Sequence, residues 1–179
     1  MPKSSAELLV NGCTWAVYAA PIGTAFTASP TAPAAPWVDL GIIQEDPTVE
    51  RTLEETLIEA SNSCAAVRQA IASQTIEFTF DLAQWTQATL EKYWGPGTVA
   101  GNVWSQNAAL SYVETAMMLQ LVDGTKDIRF RVQRASWGPD GETDFPTDDL
   151  STMPVKVTAL APAAGAIIAI DKNTAWAVA

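Results

Sequence analysis

Carboxylates in adjacent pairs are the residues of this sequence whose types and spacing come closest to a catalytic arrangement. Glu54 and Glu55 form one pair, and Asp148 and Asp149 form another. Two carboxylates about 5–10 Å apart in a cleft can hydrolyse a glycosidic bond. Neighbours in a strand, however, point to opposite faces of the sheet. A solvated surface therefore explains both pairs better than a glycosidase site, which remains a remote alternative.

Other common catalytic and ligand-binding patterns are missing from the sequence. It contains no histidine, which excludes Ser-His-Asp and Cys-His nucleophile pairs and nearly every common zinc site. No glycine-rich phosphate-binding motif occurs. The spacing of Asp140, Glu142 and Asp144 could hold calcium, but it lacks the bidentate glutamate and central glycine of an EF-hand loop. We therefore predict no enzyme activity and no catalytic, cofactor-binding or metal-binding residue.

Charge and aromatic content argue against a protein that binds free nucleic acid or sugars. The chain has 20 acidic and 10 basic residues and a net charge of −10, whereas a nucleic-acid binder is expected to present a basic surface. Arg129 and Arg131 share one strand face and could meet phosphates, but pairing with carboxylates is the better interpretation. The seven tryptophans are scattered along the chain. Burial in a core or a subunit interface therefore explains them better than a sugar-stacking platform.

The clearest structural pattern lies in residues 73–95. From Ile76 onward, apolar and polar residues alternate as in a half-buried strand. The period changes at Asp81, which can cap a helix together with Gln84 three residues later. One apolar helical stripe would then contain Leu82, Trp85, Leu90 and Tyr93. Gly95 can end this helix, so the pattern predicts a strand followed by a helix that lies on a sheet.

The rest of the chain predicts mostly short strands separated by turns. The predicted strands are residues 13–20, 37–43, 109–122, 127–137, 153–160 and 166–170. Residues 21–36, 95–107 and 138–151 are predicted to be loops, and Asp123-Gly124 is a strong hairpin signal. We expect a single domain over residues 1–179 that is mainly β, an antiparallel sandwich or barrel with one flanking α-helix.

Residues 49–60 are ambiguous between helix and strand. Val49, Leu53 and Leu57 have helical spacing, and the glutamate-rich composition favours a helix. The same three residues also share one strand face with Arg51 and Glu55. Propensity alone therefore favours a helix in this segment.

Several segments, taken in order, resemble the major tail proteins, or tail-tube subunits, of long-tailed bacteriophages, especially those of actinobacterial hosts. The segments are Pro21-Ile22-Gly23-Thr24, Trp37-Val38-Asp39-Leu40-Gly41 followed by Glu45-Asp46, the Thr- and Glu-rich residues 48–59, Val67-Arg68, Phe78-Thr79-Phe80 and Tyr93-Trp94-Gly95. Pro47 stands where the family usually has glycine. The resemblance covers residues 15–95 well and the remainder loosely.

The resemblance implies a tail-tube fold with an extended hairpin arm over residues 44–73. In that family the arm contacts neighbouring subunits, and the subunits form hexameric rings that stack into a tube. On this basis we predict that residues 48–60 form a strand, against their propensity, and that residues 1–11 and 172–179 are terminal arms. The predicted subunit-interface residues are Glu50, Arg51, Leu53, Glu54, Glu55, Leu57, Arg129, Arg131 and Trp176.

The resemblance also implies partners and a location. The chain is expected to bind copies of itself and other tail proteins, such as the tape measure, tail terminator and distal tail proteins. It would act in the virion tail after assembly in the host cytoplasm. DNA would pass through the tube without specific binding, and no cofactor or membrane contact is expected. A virion decoration or baseplate protein, or a carbohydrate-binding β-sandwich module, is the alternative function.

Two cysteines, Cys13 and Cys64, leave the redox state open. A disulfide between them is possible. Residues 1–7 lack the apolar core of a signal peptide, which favours a cytoplasmic chain with two reduced thiols.

Overall fold

The computed structural model describes residues 14–29, 31–44, 46–59, 66–109 and 111–173, except the side chains of Glu59, Ala66 and Val67. The predictions for Cys13, Cys64 and Trp176, and for the N-terminal arm, lie outside the described residues. The strands are β1 (Thr14–Ala20), β2 (Val38–Asp39), β3 (Thr48–Glu59), β4 (Ala66–Leu82), β5 (Gly97–Ala100), β6 (Val103–Gln106), β7 (Val113–Asp123), β8 (Lys126–Pro139), β9 (Met153–Ala159) and β10 (Ile168–Lys172), and the helix is α1 (Gln87–Trp94).

One antiparallel sheet of eight strands forms the body of the fold. Its order is β2-β1-β7-β8-β9-β4-β3, and β10 pairs with β8. The chain between β2 and β3 links β1 to the end of β4, the two strands next to the ends of this order. On one side the Leu40 amide donates to the Val17 carbonyl of β1 at 2.9 Å, and on the other the Ala83 amide donates to the Ile42 carbonyl at 2.9 Å. The sheet therefore closes into a barrel, and the prediction of a mainly β, antiparallel fold with one helix is confirmed.

The inner face of the barrel carries the hydrophobic core. Each core strand contributes alternate residues, as its two-residue period requires. The largest buried members are Val17, Phe78, Phe80, Leu82, Met117, Leu119, Val132, Trp137, Met153, Val155 and Val157. Phe80 packs edge-on against Trp137 with ring centroids 6.1 Å apart. The alternation predicted from Ile76 onward is thus confirmed and marks the face of β4 that points into the core.

The helix begins later than the sequence pattern predicts. Asp81 and Leu82 remain in β4, where they pair with Pro154 and Met153 of β9. The expected cap at Asp81 is therefore wrong, because pairing with β9 extends the strand through both residues. Thr86 caps the helix instead, in a capping box with Thr89. Leu82 and Trp85 consequently lie outside the helix.

The predicted end of the helix is correct, and α1 lies across β8 and β9. The helix ends at Trp94, and Gly95 follows with a positive φ of 92°. Glycine tolerates this conformation without strain. The packing of α1 against β8 and β9 confirms that the helix lies on the flank of the sheet.

Two further segments differ from expectation. Residues 95–107, predicted to be a loop, contain the β5–β6 hairpin, in which Trp104 lies over Gly97 where a Cβ would clash with its ring. The second strand is shorter than the predicted residues 37–43, because only Val38 and Asp39 pair with β1. Ile43 instead forms an isolated bridge to Leu82, at the position where the barrel closes.

Residues 48–59 form a strand, so the prediction based on family resemblance is confirmed and the helical propensity is overridden. The partner is β4, which pairs with β3 from Thr48–Thr79 to Glu59–Ala66. Backbone hydrogen bonds along this ladder stabilise the strand, although local propensity favours a helix. The hairpin predicted at Asp123-Gly124 is confirmed, but β7 begins at Val113 rather than at residue 109, and β8 continues to Pro139 beyond the predicted end at residue 137. None of the described helices is long and apolar enough to cross a membrane.

Candidate functional site

The hairpin of β3 and β4 extends past the barrel. β9 pairs with β4 only from Glu77 to Leu82. Among the described strands, the preceding part of β4 is therefore paired with β3 alone. We call residues 53–59 of β3 and 66–74 of β4 the arm. Seven residues of extended chain make it about 20 Å long.

One face of the arm mixes exposed apolar side chains with polar ones, and it continues the core face of the barrel. Leu53 and Leu57 pair with Gln74 and Gln69, on the same face as the Val49–Phe78 pair at the base. Phe78 is fully buried, whereas Leu57 is 61% exposed and Ile71 is 60% exposed. The stripe that is core at the base therefore becomes solvent-exposed surface along the arm.

The polar residues of the arm bond mainly to neutral groups on the facing strand. Arg51 Nη2 donates to Gln74 Oε1 at 3.0 Å, and Glu54 accepts from Ser73 Oγ at 2.8 Å. Glu55 accepts a hydrogen bond from Gln69. These side chains are all exposed, so the carboxylates of the arm give it a negative surface.

Glu50 lies at the base of the arm in an unfavourable pairing. It stands directly opposite Glu77 across the β3–β4 ladder, and like charges in that position repel. Lys156 Nζ lies 3.9 Å from Glu77 Oε1 and partly offsets this repulsion. Six predicted interface residues (Glu50, Arg51, Leu53, Glu54, Glu55 and Leu57) thus lie together on β3, within or next to the arm.

Arg129 and Arg131 lie elsewhere, on the outer face of β8. Arg129 is 0% exposed; its Nη1 donates to the carbonyls of Thr27 (3.1 Å) and Thr31 (2.9 Å), and its Nη2 pairs with Asp127 at 2.9 Å. Within the chain, Arg129 therefore fixes the loop of residues 21–36 against the barrel. Its pairing with a carboxylate agrees with the sequence-based interpretation. The predicted subunit contacts stay predictions, because only one chain is described.

The same loop is held at further points. Arg131 Nε lies 3.5 Å from Asp171 Oδ1, and its guanidinium lies 5.7 Å from the Phe26 ring centre. The Asp171 carboxylate also accepts from the Ser29 amide at 3.3 Å. Phe26 packs against Trp37, whose Nε1 donates to the loop carbonyl of Ala25 at 3.0 Å. In the segment predicted to be an extended loop, the described residues 21–29 and 31–36 form no helix or strand, and they pack over a second apolar cluster.

A buried lysine is the feature that the sequence reasoning missed. Lys92 of α1 is 6% exposed, and its Nζ donates to Thr115 Oγ1 at 3.3 Å. Burial lowers the pKa of Lys92 to about 8 from its ordinary 10.5, and the charge of Glu91 opposes that change. Lys92 follows Thr89 by three residues and precedes Tyr93, and all three are buried. The position of Lys92 on the helix does not by itself reveal this burial, because the groups that it contacts belong to β7 and β8.

The carboxylates of the two adjacent pairs, Glu54–Glu55 and Asp148–Asp149, are all exposed on the surface. Among the residues that the structure describes, no group of three or more His, Cys, Asp or Glu side chains could hold a metal ion. Asp149 accepts a hydrogen bond from Gln44 at 2.9 Å on the exposed surface. The site with the strongest features is therefore the arm, whose strand edge and exposed Leu57 and Ile71 suit protein contact.

Known protein families and solved structures include matches to this chain. A family model described as phage tail tube protein matches residues 1–178. No curated protein matches the sequence. A solved chain from the cryo-EM structure of the anti-feeding prophage (AFP) baseplate, 6-fold symmetrised, is similar at 10% identity and a TM-score of 0.48. The match covers 90% of this chain and 94% of that chain.

Proposed function

Because the chain belongs to the phage tail tube protein family, we propose that it assembles with copies of itself into rings that stack into the tail tube. The protein is a structural component of a phage tail. The stacked rings would be hexamers, as the resemblance to tail-tube subunits implies, and would form a conduit for the genome. The single observation that carries the self-assembly proposal is the extension of the arm past the barrel with Leu57 and Ile71 exposed.

The arm is poorly suited to exist alone in water. A two-stranded hairpin is at best marginally stable by itself, and an uncovered strand edge invites pairing with another chain. Leu57 and Ile71 are both largely exposed. Burying two such side chains at a contact would contribute roughly 1.5–3 kcal/mol each. A neighbouring copy that covers the arm would therefore stabilise both the hairpin and the ring.

The charge of the chain fits a conduit for DNA. Six copies, each with a net charge of −10, would carry about −60 per ring. Basic contacts would hold DNA tightly by releasing counterions, whereas an acidic wall repels phosphates over a Debye length of about 8–10 Å. DNA would then slide through without specific binding. Other tail proteins, such as the tape measure, tail terminator and distal tail proteins, would meet the tube in a virion assembled in the host cytoplasm.

Assembly of arm variants tests the proposal. We expect the concentrated wild-type protein to form rings or tubes, visible by negative-stain microscopy and by sedimentation. The variant Leu57→Ser should need at least about tenfold more protein to assemble, since losing about 1.5–3 kcal/mol per contact corresponds to a factor of ten or more. Val103→Ser is the matched control, because Val103 is also 61% exposed but lies on β6, outside the arm.

Two results would count against the proposal. One is a wild-type protein that stays a single chain at high concentration. The other is equal assembly of Leu57→Ser and Val103→Ser. A single chain whose tryptophan fluorescence changes on titration with glycan would instead support a carbohydrate-binding module.

A further inference from the structure

A cleft of about 370 Å³ lies beside α1, where the helix meets the end of β1 and the chain leading into β2. Small apolar side chains form most of its walls. The lining includes Ala19, Ala20, Ala88, Glu91, Lys92 and Thr115. Lys92 and Glu91 are therefore the two charged residues of a mainly apolar cleft.

The ammonium group of Lys92 has neutral partners. It donates to Thr115 Oγ1 at 3.3 Å and lies 5.0 Å from the Trp137 ring centre. Thr115 Oγ1 also accepts from Trp137 Nε1 at 2.7 Å, so this hydroxyl is shared. None of the ion pairs found among the described residues involves Lys92.

The neighbouring Glu91 does not neutralise Lys92 by direct contact. Its carboxylate accepts a hydrogen bond from Gln87 Nε2 at 2.9 Å, one turn earlier on the helix. A buried lysine is rarely found without an anionic partner, because the desolvated charge is costly. The cleft thus brings together a buried cation, a lining open to an incoming group, and no carboxylate in contact with the cation among the described residues.

We propose that this cleft receives a glutamate side chain from a second copy of the chain, whose carboxylate pairs with Lys92. The inference rests on the proposed self-assembly. Charge complementarity favours this occupant, since the chain has 20 acidic residues and its arm is acidic. The shape favours glutamate, because its two methylenes would lie against the alanine walls while the carboxylate reaches Nζ. A partner carboxylate would also stabilise the charged form of Lys92, which burial disfavours.

Zero-length cross-linking of the wild-type protein tests this contact. A carbodiimide joins an amine and a carboxylate that touch: the amide C–N bond forms, and the reagent takes up the water that is lost. Equal amounts of ¹⁴N- and ¹⁵N-labelled protein are mixed before assembly, and cross-linked peptides are identified by mass spectrometry. Contact between copies gives mixed light–heavy pairs, whereas contact within one chain gives unmixed pairs. Lys156, which lies 3.9 Å from Glu77 of the same chain, is the internal control.

We expect assembled protein to give mixed pairs that join Lys92 to a glutamate, and dilute single chains to give none. Acylation of Lys92 should also become at least tenfold slower on assembly, with Lys156 unchanged. If the wild type assembles but Lys92 forms no mixed pair and is acylated at the same rate, the inference is overturned and the proposed function stands. If the wild type does not assemble, the proposed function fails and this contact fails with it.

Discussion

Replacing Lys92 with methionine should stabilise the single subunit. Methionine keeps most of the volume of the lysine stem but removes the charge, so the cost of desolvating that charge disappears. The fall in pKa from 10.5 to about 8 corresponds to about 3 kcal/mol favouring the neutral over the charged form in the folded state. The variant also loses the hydrogen bond to Thr115 and the contact with Trp137, which would reduce this stabilisation by roughly 1–2 kcal/mol. We therefore expect Lys92→Met to be about 1–2 kcal/mol more stable at pH 7.

The pH dependence gives a sharper form of this prediction. Between about pH 8 and 10.5, Lys92 has lost its proton in the folded chain and keeps it in the unfolded chain. The unfolded state then binds more protons, so wild-type stability should rise with pH across this window relative to the variant. Below about pH 8 both states are protonated, and the difference between wild type and Lys92→Met should be constant.

Urea unfolding followed by tryptophan fluorescence measures both effects. The free energy of unfolding is compared for the two proteins from pH 7 to pH 10.5, at a concentration where sedimentation shows single chains. Lys156→Met serves as the control for removing an exposed lysine. A wild-type protein that is more stable than Lys92→Met at pH 7, or a stability difference that does not shrink as pH rises, would refute the reasoning.

Two other substitutions test the loop and the helix cap. Arg129→Met should destabilise the fold by about 3–5 kcal/mol, because it leaves Asp127 buried without its cation. Urea unfolding measures this loss, and proteolysis reports whether residues 21–36 are released. The control Arg134→Met, which removes an exposed arginine, should have little effect. Thr86→Ala should cost about 1 kcal/mol by removing the capping box of α1. Its urea midpoint can be compared with that of Thr98→Ala on exposed β5, and equal midpoints would contradict the role of the cap.

The strands that pair inside the barrel are the part of the fold best predicted from sequence. The alternation from Ile76 onward and the Asp123-Gly124 turn are local signals. The structure has a strand and a hairpin at these two positions. The start of α1 was predicted wrongly because a suitable cap at Asp81 competes with a strand partner from far along the chain. The local sequence allows either a helix cap or a strand at Asp81, and pairing with β9 makes it a strand.

The candidate site was partly predictable for the same reason. Leu53 and Leu57 have helical spacing and strand spacing at once, so periodicity could not choose between the two. Family resemblance indicated a strand, and the ladder with β4 confirms it. Lys92 could not be singled out, because its burial depends on Thr115 and Trp137, which come 23 and 45 residues later in the chain and lie on β7 and β8.

The position of Arg129 suggests how the surface is divided between folding and assembly. A buried arginine that donates to two loop carbonyls ties residues 21–36 to the outer face of β8, so this chain covers that part of its barrel itself. The arm has no comparable cover among the described residues, and its exposed apolar residues lie on the face that continues the core. Contact on the β8 side would therefore depend on the loop that Arg129 holds in place, whereas contact at the arm would bury side chains that already follow the core pattern. This difference is why Leu57→Ser should impair assembly and Arg129→Met should first impair folding.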